Sequence, residues 1–144
     1  MNFKKILFPT DFSRASQHAL GCATSLARAT GATLIIMHVE EPPMAYGGGD
    51  LYYGVDPTDR DTLRRSLAEV KPLDPSVPSV HKLLIGDPAT AIVETADAEG
   101  ADLIVIGTHG RSGITRLLMG SVAEAVVRHS KCPVLSVRQP PKAE

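Results

Sequence analysis

Leu103-Ile104-Val105-Ile106-Gly107-Thr108-His109-Gly110, followed after nine intervening residues by Gly120-Ser121, is the stretch that decides how this chain folds. Leu103–Ile106 is a short, wholly apolar run rich in β-branched side chains, the pattern of a strand buried on both faces. After Ser121 the pattern changes to a helical one, with Val122, Ala125, Val126 and Val127 giving an apolar stripe. The glycines therefore lie in a loop between a buried strand and a helix. The first amides of a helix have no internal partner, and the helix dipole adds positive potential there. Glycine lets the main chain approach an anion closely and reach positive φ. Such a loop suits a phosphate group.

Reading outward, strand and helix patterns alternate over the whole chain. Lys5–Pro9 predicts a first strand. Ser13 caps a helix to about Thr30, with Ala15, Ala19, Cys22, Ala23, Leu26 and Ala27 on one side and Gly31 as its stop. Thr33–Val39 predicts a second buried strand. Thr58 caps a short helix with Leu63, Leu67 and Val70 inward. Ser79–Ile85 predicts a third strand, and Asp87-Pro88 opens a helix that runs to Gly100. Leu103–Ile106, a helix over Ser121–Ser130 and a strand over Pro133–Val137 complete the series. Regular β-α alternation predicts an α/β domain with a parallel sheet and helices on both faces. Residues 1–138 form one domain, and the tail Gln139–Glu144 is expected to be disordered. Two connectors are irregular. Pro72–Pro78 is proline-rich. Glu40–Pro57 holds Pro42-Pro43, Gly47-Gly48-Gly49 and three tyrosines, and reads equally as a lid or as an excursion without function.

Composition narrows the function classes. The 144 residues are 43% hydrophobic and 22% charged, with a formal net charge of −1, so the charge gives no support to nucleic-acid binding. No run is long enough for a membrane span. Lys4-Lys5 precedes only Ile6-Leu7-Phe8 before Pro9, too short for a secretory signal, so a cytoplasmic location is expected. Cys22 and Cys132 are far apart and form no metal-type pair, and Cys22 reads as a small buried hydrophobe. The glycine spacing fits neither the P-loop, which requires a lysine after its last glycine, nor the dinucleotide fingerprint, whose glycines follow an early strand. No Ser-His-Asp, Cys-His or H-E-x-x-H arrangement is legible, and no catalytic apparatus is identified.

The spacing Gly107-x2-Gly110-x9-Gly120-Ser121 resembles the ATP-binding signature of the universal stress protein family. The resemblance runs from Lys4-Lys5-Ile6-Leu7-Phe8-Pro9-Thr10-Asp11, through Gly86-Asp87-Pro88, to Cys132-Pro133-Val134-Leu135-Ser136-Val137. It implies a single open five-stranded parallel sheet of order 3-2-1-4-5, Rossmann-like, with a ligand crevice where the order reverses between the first and fourth strands. It implies a small regulatory or stress-response protein that binds ATP, ADP or AMP with Mg²⁺. The alternatives are a slow ATPase on the same site and an interaction module independent of nucleotide. Carried over position by position, it implies that Pro9, Thr10 and Asp11 line the nucleoside end. Val39 offers backbone hydrogen bonds to adenine, and Gly107, Gly110, Gly120, Ser121 and Val122 hold the phosphates. His109 and Arg111 lie in the same loop as further candidates, with Arg116 behind them. Asp11 also reads as a helix cap, and Ser121 as a simple N-cap. His38 reads as serving its strand. The resemblance further implies a homodimer through the last strand, a sheet edge that needs cover or a partner.

Overall fold

The computed structural model describes residues 2–42, 57–108 and 120–139. Nine elements follow one another as β1 (Lys5–Pro9), α1 (Arg14–Thr30), β2 (Thr33–Glu40), α2 (Pro57–Glu69), β3 (Ser79–Ile85), α3 (Pro88–Glu99), β4 (Leu103–Gly107), α4 (Ser121–His129) and β5 (Val134–Val137). All four strand pairings are parallel and the order is β3-β2-β1-β4-β5, as the resemblance implied. Right-handed crossovers are nearly obligatory in parallel sheets. The chain moves in one direction from β1 to β3 and in the other from β4 to β5. That reversal sends α1 and α2 to one face and α3 and α4 to the other.

The two faces carry two cores. Ile6, Phe8, Leu34, Ile36 and Val105 pack under Ala19, Ala23 and Ala27 of α1 and Leu67 of α2. Leu7, Ile35, Met37, Ile104 and Ile106 pack under Ile92 and Ala96 of α3 and Ala123 and Val126 of α4. The alternation along each strand supplies both sets, which is why the central strands read as unbroken apolar runs.

Local chemistry sets most of the boundaries. The Ser13 hydroxyl accepts from the Ser16 amide at 3.2 Å and caps α1. Asp87 accepts from the Thr90 amide and caps α3, with Pro88 in the first turn. Gly31 and Gly100 close these two helices at φ 74° and 69°, a conformation that costs other residues a steric penalty. Four sequence expectations need correction. Helix α2 begins at Pro57, so Thr58 lies within its first turn, and Val70 falls just past its end. The N-cap of α4 is Gly120, not Ser121. On α4 the inward residues are Ala123 and Val126, three positions apart on one helix face, whereas Val127 is exposed. Both cysteines are only partly buried. Residues 43–56 of the irregular connector after β2 and the tail from 140 onward lie outside the described residues.

Three aspartates tie turns and strand starts together. Asp102 Oδ2 accepts from the backbone amides of Lys4 and Lys5 at 2.8 and 3.0 Å, joining the entries of β1 and β4. Those two amides hold its carboxyl below the usual carboxylate range. Asp87 is held low by the Thr90 amide and then its hydroxyl, and Asp74 by the Ser76 amide and then its hydroxyl. Groups depressed in the folded state stabilise it above their unfolded pKa and lose that contribution as pH falls through the folded value. The urea midpoint should therefore stay level from pH 7 to about 5 and fall below about 4, the ordinary aspartate range. Asp102→Asn should flatten that acid limb. A midpoint that holds or rises below pH 4 would contradict this assignment.

Candidate functional site

The turn between β1 and α1 is built by short polar side chains. Asp11 Oδ1 accepts from the Ser13 amide at 3.0 Å and from the Ser16 hydroxyl at 2.7 Å, while the Asp11 amide donates to Ser16 Oγ at 3.2 Å. Asp11 thus organises the turn, and Ser13 caps the helix, so the reading of Asp11 as the cap itself does not hold. Thr10 Oγ1 accepts from the Phe12 amide at 3.0 Å. Phe12 has φ 65°, a left-handed conformation uncommon for an aromatic residue. Its ring lies 4.6 Å from that of His38, and His38 Nδ1 is 2.7 Å from the Thr10 carbonyl. A carbonyl can only accept, so Nδ1 is the donor and carries the proton. The turn is thereby pinned against β2.

A cavity of about 510 Å³ opens at the carboxyl ends of β1, β2 and β4, within the range of small-molecule sites. It sits at the reversal of strand order. Pro9, Thr10, Asp11, Val39, Gly107, Gly120, Ser121 and Val122 all line it. His109, Gly110 and Arg111 lie outside the described residues, as does Arg116. The sequence reading missed His38 as a lining residue and missed Glu40 altogether. The signal for Glu40 was present: it stands two positions after His38, on the same strand face, at the end of an apolar run. Helix α2 also contributes Leu63, and α3 contributes Pro88 and Ile92.

The helix termini differ at this cavity. Helices α1 and α3 carry side-chain caps, whereas α4 has none, because Gly120 offers no side chain. The first residues of α4, with their amides free of a cap, stand in the cavity wall. Gly120 has φ −62° and ψ 154°, so positive φ is not its requirement. Gly107 also answers to something other than a ligand. A Cβ there would meet the Ala15 carbonyl oxygen at 2.7 Å and its carbon at 2.8 Å. Glycine at 107 lets the first turn of α1 lie directly on β4.

Charge is uneven around the cavity. Asp11, Glu40 and Glu41 line it, and no lysine or arginine does among the described residues. Glu40 is 6% exposed; its Oε1 is 3.3 Å from Arg60 Nε, and its Oε2 is buried without a hydrogen-bond partner. Thr108 Oγ1, just past the end of β4, is likewise buried, with no hydrogen-bond partner among the described residues. No group of three or more His, Cys, Asp or Glu placed to hold a metal ion occurs among the described residues. No described helix is long and apolar enough to cross a membrane.

An open α/β sheet with a cavity at its switch point and an uncapped helix start in the wall defines a class of small-ligand sites. Residues 2–138 match the universal stress protein family, and the chain belongs to it. It is 38% identical to a universal stress protein of Thermus aquaticus, over 94% of this chain and 99% of that one. It is 35% identical to one from Methanocaldococcus jannaschii, over 97% of this chain and 85% of that one. It is also similar to the crystal structure of a universal stress protein in complex with cAMP. That likeness has a TM-score of 0.65 and 28% identity, covering 96% of this chain and 98% of the other.

Proposed function

We propose that this protein binds an adenine nucleotide, ATP with Mg²⁺ foremost, in the cavity between β1 and β4, and serves as a small regulatory protein of the stress response. The observation that carries the reading is the start of α4. Gly120, Ser121 and Val122 there have no side-chain cap and line a cavity of nucleotide size together with the β1 turn. Phosphates lie against Gly120, Ser121 and Val122, and the nucleoside extends past Pro9, Thr10 and Asp11 toward Val39. The complex of a related protein with cAMP supports adenine as the base. Mg²⁺ fits the same charge pattern. Three carboxylates in the wall repel a polyphosphate, and a divalent cation carried by the phosphates offsets that repulsion. Arg111 and His109 remain proposals for the phosphate side.

Hydrolysis is expected to be slow or absent. Efficient phosphoryl transfer needs a positioned water, a metal ligand set and charge stabilisation. Amides alone supply only part of this. A steady-state rate on the order of 1 s⁻¹ or more would shift the reading to an ATPase. The direct test is heat denaturation of purified protein and mass spectrometry of the supernatant, with calorimetry for ATP, ADP and AMP. Recovery or binding of an adenine nucleotide supports the proposal. Neither, in both experiments, overturns it in favour of an interaction module.

The same reading includes a homodimer through β5. Among the described residues this strand pairs only with β4, and Leu135 on it is 39% exposed. An open apolar edge is a liability unless paired, and twofold contacts are the commonest solution. Sedimentation should show a dimer at tens of micromolar, roughly the range where such contacts hold, and a monomer for Leu135→Lys. A monomeric parent, or an unchanged assembly in the variant, argues against the pairing.

A further inference from the structure

We propose that Glu40 determines which nucleosides the cavity accepts: its unpaired carboxylate oxygen takes a hydrogen bond from an N–H or O–H donor of the bound nucleoside. The inference rests on the nucleotide reading above and deepens it. Glu40 ends β2, lines the cavity, and is almost wholly buried. One oxygen is held by Arg60 at 3.3 Å, and the backbone carbonyl accepts from the Gly86 amide at 3.0 Å. Both ends of the residue are thus fixed. The other oxygen, Oε2, is buried with no partner. A buried charged oxygen left unpaired is costly, and a native protein that keeps one beside a cavity has a use for it.

The place in the sheet says which part of a nucleotide is within reach. Glu40 is on β2, and the uncapped amides of α4 follow β4. Strand β1 lies between them, so they are separated by two strand spacings, roughly 10 Å. That is about the span from a phosphate group to a nucleoside. A carboxylate would repel the phosphates themselves. An ionised carboxylate oxygen can only accept, so at Glu40 this wall recognises donors. In an adenosine 5′-phosphate the nucleoside donors are the exocyclic amine and the 2′- and 3′-hydroxyls.

The test uses four probes, each with Mg²⁺: ATP, purine riboside triphosphate, 2′-deoxy-ATP and 3′-deoxy-ATP. The last three each delete one donor. Affinities are measured by calorimetry for the parent, Glu40→Gln and Glu40→Ala. One deletion should cost the parent roughly ten- to a hundred-fold, the usual factor for a hydrogen bond to a charged group. The same deletion should cost Glu40→Ala less than about three-fold, since the partner is already gone. The ratio is read within one preparation, so a partly unfolded fraction cancels. Loss with purine riboside triphosphate assigns the contact to the base amine, and loss with a deoxy analogue assigns it to that hydroxyl. If the parent binds ATP but all three deletions cost parent and variants alike, the assignment of Glu40 fails while the nucleotide reading stands. If the parent binds none of the four, both fall.

Discussion

Gly107→Ala is expected to lower stability by about 2–3 kcal/mol, the upper part of the usual cost of overpacking. For a chain of this size that is a fall of roughly 10 °C in melting temperature. The reason is geometric. The added methyl would stand 2.7 Å from the Ala15 carbonyl oxygen and 3.1 Å from the Ser16 amide nitrogen. Both are backbone atoms of the first turn of α1, which cannot swing aside as a side chain could. Relief requires α1 to lift from β4. That movement would also disturb the Ser16–Asp11 hydrogen bonds that shape the cavity wall. Gly107→Val should be worse, and should drive much of the protein into inclusion bodies. Thermal melts of purified Gly107→Ala check the claim. A melting temperature within 2–3 °C of the parent, about 1 kcal/mol or less, would show that the helix yields easily and that the contact is not decisive.

Gly120→Val is expected to abolish nucleotide binding while leaving the circular dichroism spectrum near normal. The backbone here is extended, at φ −62° and ψ 154°, which valine adopts without strain. The folding cost is then limited to a poorer N-cap, about 1 kcal/mol. The effect on binding comes from space: a branched side chain at the start of α4 would fill the volume proposed for the phosphates. Ser121→Ala should be milder. Ser121 is the first helical residue rather than the cap, so its removal leaves the cap intact and subtracts one hydroxyl from the phosphate shell. Weakening of several-fold is expected, from about 1 kcal/mol for one hydrogen bond. Calorimetry with ATP ranks the two. Wild-type affinity in a folded Gly120→Val would remove the phosphates from α4.

The two glycines show how differently one motif can act. In the sequence they belong to a single signature, and both read as phosphate-facing. In the structure Gly107 is required by a helix packed against its strand, and Gly120 leaves a helix start without a cap. The sequence could not separate these uses, because the partner of Gly107 is Ala15, ninety-two positions away by subtraction of the two residue numbers. Phe12 is a similar case. Nothing in its neighbours announces φ 65°; the conformation follows from the His38–Thr10 contact and the Asp11 turn.

Periodicity alone determined the element series of this protein. Buried strands with unbroken apolar runs, capping serine and aspartate, and terminating Gly31 and Gly100 are local signals, set by backbone geometry within a few residues. Strand order came from the resemblance rather than from periodicity. The glycine loop and Pro9-Thr10-Asp11 were legible as candidates because strand ends followed by polar or glycine residues are recognisable one by one. The tertiary structure added the cavity itself, lined by these segments together with Val39, Leu63, Pro88 and Ile92. It alone turned Glu40 from the apparent start of a loop into a buried carboxylate with one oxygen unpaired. The physical reason is that burial and pairing of a polar group depend on what packs over it from other elements. Here that is Arg60 from α2 and the Gly86 turn after β3, brought to β2 by the fold.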